Sequence, residues 1–100
     1  MPQNIFEKFD ELYSRWSIMD KAGKEMQLGN MMQNAQALYQ VLVQTYGRKG
    51  YLTQTEANHI GQINQFCQYL QDQKMQVDQD LWNEMIRHLT KMVVKRQNGF

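Results

Sequence analysis

Charge is missing from the middle of this chain. Between Glu25 and Arg48 there is no Asp, Glu, Lys, Arg or His, and between Glu56 and Asp72 there is only His59. Breakers are scarce too: the single proline is Pro2 and there are six glycines, which leaves room for long uninterrupted helices. A lone cysteine, Cys67, excludes an internal disulfide, and the first residues hold no apolar signal core; together these predict a reducing, cytoplasmic setting. No apolar run approaches the roughly 20 residues needed to cross a bilayer, so no membrane partner is expected. There is no surplus of one sign either. With 11 basic and 10 acidic side chains the net charge is +1, which provides no global field to steer the chain onto nucleic acid or a membrane.

What is present is helical periodicity. The chain is 100 residues long, the size of one ordinary domain, and no internal boundary is expected. Asn4 followed by Glu7 is a capping-box pattern, and Ile5, Phe9, Leu12, Trp16 and Met19 recur at alternating spacings of four and three. This predicts a first helix over about 5–21, with a Glu11/Arg15 pair on its polar side and Lys21 and Gly23 at its end. The joint at 24–29 is ambiguous, because the second helix can start near Glu25 or at Asn30, which has Gln33 in the capping-box position. A second helix over about 30–46 carries Met31, Ala35, Leu38 and Leu42 on one face, and from Ala37 to Val43 only Gln40 is polar, which predicts burial on more than one side. Thr53 with Glu56 forms another capping box ahead of a third helix over about 54–73, burying Ile60, Ile63, Cys67 and Leu70. Gly61 inside it predicts close approach by another backbone. Asp78 caps a fourth helix over about 79–96, whose apolar face is Leu81, Trp82, Met85, Ile86, Leu89, Met92 and Val93. The expectation is an all-α, four-helix antiparallel bundle, with a domain-swapped or dimeric version second.

Motifs that carry chemistry are few. A hydrolase needs a nucleophile beside a base, yet Ser14 and Ser17 fall inside the first predicted helix and Cys67 on the core stripe. There is no Walker loop, Gly-x-Ser-x-Gly, His-Glu-x-x-His or CxxC pair, so neither enzymatic activity nor a cofactor is expected. Glu56-Ala57-Asn58-His59 has the Glu-x-x-His spacing that resembles di-iron helical bundles, but no second pair exists and no metal site is expected. Asp80, Glu84 and His88 share a helix face, where acids early and bases late complement the macrodipole. His88-Leu89-Thr90-Lys91 resembles the His-x-x-Lys spacing of histidine phosphotransfer domains, with Met92 where those domains use glycine; the resemblance implies a phosphotransfer role for His88. Gly47-Arg48-Lys49-Gly50 looks like the Gly-x-x-Gly loop of K-homology domains, which clamps a nucleic-acid backbone. With the basic ridge Arg87, Lys91 and Lys95, Arg48 and Lys49 define an alternative reading as a nucleic-acid-binding regulator.

The principal expectation rests on the uncharged stretch. Helix surfaces in water usually carry Lys and Glu, whereas Gln and Asn take those places here. Uncharged amides interspersed with tyrosines suit an interface, where charges are costly to desolvate and aromatic rings anchor contact. The residues that define it are Met31, Gln33, Gln36, Tyr39, Gln40, Val43, Tyr46, Gln65 and Tyr69. They predict a non-catalytic protein-protein interaction module, an adaptor, chaperone-like factor, subunit or small inhibitor, whose partner is another protein or a second copy of itself.

Overall fold

The structure, a computed structural model, describes the backbone of residues 4–97 and the side chains of residues 4–93. The described residues contain five helices and no strand: α1 (Ile5–Ser17), α2 (Lys21–Met26), α3 (Leu28–Lys49), α4 (Gln54–Asp72) and α5 (Gln79–Gln97). The chain divides into two compact units, Met1–Val41 and Leu42–Phe100, with α3 contributing to both.

In the first unit, α1 begins as its capping signals predict. The Asn4 side chain accepts a hydrogen bond from the Glu7 backbone N–H at 2.8 Å, relieving one of the orphan donors of the first turn. Glu11 and Arg15 pair one turn apart. Phe9 and Trp16 are buried, while Ile5, Leu12 and Met19 are half-buried at the edge of the same stripe. Tyr13 lies against both rings, stacked on Phe9 with centroids 6.3 Å apart and tilted against Trp16 at 6.2 Å.

The expected helix over 5–21 ends four residues early, which is why there are five helices and not four. Asp20 adopts an extended conformation and its carboxylate accepts from the Gly23 N–H at 2.8 Å, so it caps a new six-residue helix instead of continuing the old one. Lys21 and Gly23, which read as a helix end, are therefore inside the first turn of α2. Trp16 ties the two helices together, donating from Nε1 to the Lys24 carbonyl at 3.3 Å while the Lys24 ammonium sits 5.1 Å from its ring centroid. The ambiguous joint resolves to a single turn at Gln27, and α3 begins at Leu28.

Along α3, Met31, Ala35 and Leu38 are buried in the first unit and Leu42 in the second. The expectation that Ala37 to Val43 is buried on more than one side is corrected: Ala37 and Gln40 are exposed and Tyr39, Val41 and Val43 only half-buried, so one face is enclosed. Tyr39, Val41 and Val43 alternate as a strand would, yet the longer 3.6-residue period prevails.

In the second unit, α3 runs one turn past its predicted end. Gly47 is helical, and the stop comes at Gly50, whose φ of +78° places it in the left-handed region with its N–H bonded to the Tyr46 carbonyl at 2.7 Å. Thr53 and Glu56 form the predicted capping box at the start of α4, and Leu52 is buried just before it. Helix α4 then buries Ile60, Ile63, Phe66, Cys67 and Leu70. It packs against α5, which buries Trp82, Met85, Leu89 and Met92. Phe66 meets Trp82 edge to face, centroids 5.6 Å apart at 80°, the orientation that sets a positive ring edge on a negative face. The six-residue connection turns through Lys74 at φ 51°, and the Gln79 amide closes it by donating to the carbonyls of Leu70 and Met75. Asp78 caps α5 through a bond from the Leu81 N–H at 3.1 Å. Leu81 itself, expected on the apolar face, is 45% exposed.

Gly61 corrects another expectation. It faces outward, and among the described residues a Cβ built on it would meet nothing within 4 Å beyond its own helical turns, so no close backbone contact explains it there. Gly61→Ala should therefore raise stability by about 1 kcal/mol, the ordinary helix-propensity difference, as read by urea denaturation.

Glu56 generates a pH dependence. Its burial pushes the carboxyl up, but the Thr53 N–H, the Lys49 ammonium and the Thr53 hydroxyl outweigh that and hold it below its ordinary 4.5. A carboxyl whose folded value lies below its unfolded one contributes stability that is present above about pH 4.5 and lost as pH falls through the folded value. The Tm of the wild-type chain should fall on acidification below that point, and Glu56→Gln, less stable at neutral pH, should show a shallower acid limb.

Candidate functional site

Because the inner rows of α3 and α4 are fixed by the core, their outer rows are fixed too. On α4 the exposed positions Gln54, Asn58, Gly61, Gln65 and Gln68 recur at spacings of four and three, ending on Asp72. This is one straight ridge, flanked by exposed Thr55, Asn64 and Gln71, and it carries no charge before Asp72. Its two ends are latched along the helix: the Gln54 amide donates to Asn58 at 2.9 Å and the Gln68 amide to Asp72 at 2.9 Å. Among the described residues the side chains of Asn64 and Gln65, at its centre, make no hydrogen bond. On α3 the exposed positions are Gly29, Asn30, Gln33, Gln36, Ala37 and Gln40 in the first unit and Gln44, Gly47 and Arg48 in the second, uncharged up to Arg48.

Of the residues predicted to bind a partner, Gln33, Gln36, Gln40 and Gln65 are exposed, and Tyr39, Val43, Tyr46 and Tyr69 are half-buried beside them. Met31 is corrected. It is wholly enclosed in the core of the first unit and presents nothing to a partner.

Two of the predicted basic residues, Lys49 and Arg87, are engaged in ion pairs. Lys49 turns inward, its ammonium 3.0 and 3.3 Å from the two Glu56 oxygens and 4.9 Å from the Tyr51 ring centroid. Arg87 pairs with Glu84, whereas Arg48 and Lys91 are exposed; the Lys95 side chain lies outside the described residues. The resemblance of Gly47-Arg48-Lys49-Gly50 to a backbone-clamping loop is overturned, since the first three of these residues form the last helical turn of α3.

The Glu-x-x-His pair is likewise occupied. Glu56 is held by Thr53 and Lys49, and His59 is buried with Nδ1 bonded to the Thr55 carbonyl at 2.8 Å. Among the described residues no three His, Cys, Asp or Glu side chains gather as a metal would require. Asp80, Glu84 and His88 are all exposed on α5. Cys67 is buried, and burial pushes its thiol up to about 11, far from the thiolate form that reacts.

One feature of the first unit escapes sequence reasoning. An open cleft of about 200 Å³ lies between α1 and the start of α3, lined by Lys8, Glu11, Leu12, Arg15, Asn30 and Asn34. Its polar groups largely satisfy one another: Glu11 pairs with Arg15, and the buried Asn34 amide donates to the Asn30 backbone and side-chain oxygens at 2.8 and 3.0 Å. The available signal is Asn30 and Asn34 one turn apart, with Asn34 next to core Ala35.

No protein-family model, curated protein or solved structure matches this chain. Among the described residues no helix is long and apolar enough to cross a membrane.

The two neighbouring bases at the end of α3 should therefore behave differently. Lys49→Ala strands a largely buried carboxylate and should cost about 1–3 kcal/mol in chemical denaturation. Arg48→Ala should stay within about 0.5 kcal/mol of wild type.

Proposed function

We propose that this chain is a non-catalytic protein-protein interaction module, working in a reducing, cytoplasmic setting, whose contact surfaces are the uncharged amide rows of α3 and α4. The observation that supports it best is the coincidence of exposure with absence of charge. Every exposed position of α4 from Gln54 to Gln71 is Gln, Asn, Thr or Gly, and every exposed position of α3 before Arg48 is Gln, Asn, Ala or Gly. Glutamine and glutamate are similar as helix formers, so folding alone gives no reason to prefer the amide. A contact surface does. An ionised side chain must lose its hydration when a partner covers it, whereas an amide loses less and can both donate and accept. The half-buried tyrosines beside the rows, Tyr39 and Tyr46 on α3 and Tyr69 on α4, supply the rigid aromatic area that anchors interfaces. The chain acts, on this reading, by covering or bridging surfaces of a larger assembly.

Converting Gln33, Gln40 and Gln65 to Glu tests the proposal, because all three are exposed and the change leaves helix formation nearly untouched. Macromolecules that co-purify with the wild-type chain from its native cell should bind the triple variant at least about tenfold more weakly, with the circular dichroism and Tm unchanged. Undiminished binding of every such partner, together with a wild-type chain that stays monomeric at high concentration, would remove the amide rows as an interface.

A further inference from the structure

We infer that the α4 ridge docks against the same ridge of a second copy of this chain, antiparallel, with Gly61 giving the closest approach. The inference rests on the interaction reading above and specifies the partner of one of its surfaces.

Three features of the ridge select a second copy as its occupant. The first is self-complementarity. A two-fold interface brings a surface against itself, so a ridge of one charge sign repels its own copy, whereas amides carry donor and acceptor together and match themselves. The second is the spacing. Gln54, Asn58, Gly61, Gln65, Gln68 and Asp72 follow the alternating four-three seam by which two helices lie along each other. The third is Gly61. It costs helix stability, a Cβ built on it would meet nothing within 4 Å among the described residues, and it sits halfway between Gln54 and Gln68, where a missing side chain lets another helix come close. Exposed amides adjoin this point at Asn64 and Gln65, while those at the ridge ends are latched within the helix.

The register follows from the one charge. A parallel pairing sets the two Asp72 carboxylates side by side. The antiparallel register that places Gly61 against the partner's Gln65 also places Asn58 against the partner's Gln68 and Gln54 against the partner's Asp72. Each carboxylate then meets an amide donor, and the two carboxylates stand at opposite ends of the seam. Helix α4 has 19 residues and is about 28 Å long, so one face about 10 Å wide offers about 280 Å², well under the roughly 800 Å² per partner of a standard interface. The association is therefore weak and concentration-dependent.

Sedimentation equilibrium of the full chain from about 10 µM to about 1 mM, a range suited to small transient interfaces, provides the test. The wild type should pass from monomer to dimer within it. An acidic ridge (Asn58→Glu with Gln65→Glu) and a basic ridge (Asn58→Lys with Gln65→Lys) should each stay monomeric, and mixing the two in equal amounts should restore dimers. Gly61→Gln adds bulk without charge at a position with open space around it; its Tm should be no lower than that of the wild type, and self-association should weaken about tenfold or more. A wild type monomeric throughout, or dimers indifferent to all three variants, overturns the inference. If the wild type is monomeric but the Gln33, Gln40 and Gln65 to Glu variant still loses a co-purified partner, the second copy is wrong and the interaction reading stands. If that partner is kept as well, both fall.

Discussion

The edge-to-face contact of Phe66 with Trp82 sits in the burial on which the second unit depends. Around it the inner row of α4, Ile60, Ile63, Cys67 and Leu70, meets the inner row of α5, Met85, Leu89 and Met92. Fully burying one such side chain stabilises by about 1.5–3 kcal/mol, far more than any exposed amide contributes, so this row alone fixes the rotation of α4 about its axis. Everything on the outer side follows by helical geometry. Once Phe66 points inward, Gln54, Asn58, Gly61, Gln65 and Gln68 have to point outward. The amide ridge is thus a consequence of the core in its position, though not in its chemistry.

Glu56 shows how residues that look chemically poised are used up by structure. Its carboxylate accepts the Thr53 N–H at 2.8 Å and the Lys49 ammonium at 3.0 Å, closing the capping box and joining the end of α3 to the start of α4. The same ion pair withdraws Lys49 from the basic set, and the same carboxylate removes one member of the Glu-x-x-His spacing. His59, one turn on, is buried with its Nδ1 against the Thr55 carbonyl. A short motif specifies which side chains share a helix face; it does not specify whether their donors and acceptors are already spent.

Legibility in the sequence follows the strength of the competing signals. The α4 and α5 cores and the Thr53/Glu56 and Asp78 caps are readable because periodicity and capping point the same way at each. The joint after α1 is not, because Lys21 and Gly23 are C-terminal signals while Asp20 is an N-terminal one, and only the bond from the Gly23 N–H to the Asp20 carboxylate decides between them. Gly47 and Gly50 pose a similar choice, decided by the left-handed backbone of Gly50. Ala37 to Val43 misleads for another reason. Apolar composition on all sides indicates what can be buried, whereas the partners available bury only Leu38 and Leu42. For the candidate site, the absence of charge is fully visible in the sequence; which amides line up, and that Met31 does not join them, requires the rotation of each helix.

The chemistry of the outer rows calls for a cause beyond folding. Charged and amide side chains of similar length differ little in helix propensity, so the core of α4 would be served equally by glutamates and lysines at 58, 65 and 68. What such charges would add is repulsion between molecules and a penalty for any contact that strips their water. A row without them gives up that protection along about 19 residues of helix. Gly61 compounds the loss, since it weakens the helix by about 1 kcal/mol relative to Ala and, among the described residues, nothing lies within 4 Å of where its Cβ would be. Two independent departures from what a solvated helix needs, one electrostatic and one steric, meet on the same face and at its centre. The proposed contact with another surface would account for both, because an approaching helix gains from the missing charge and from the missing side chain at once.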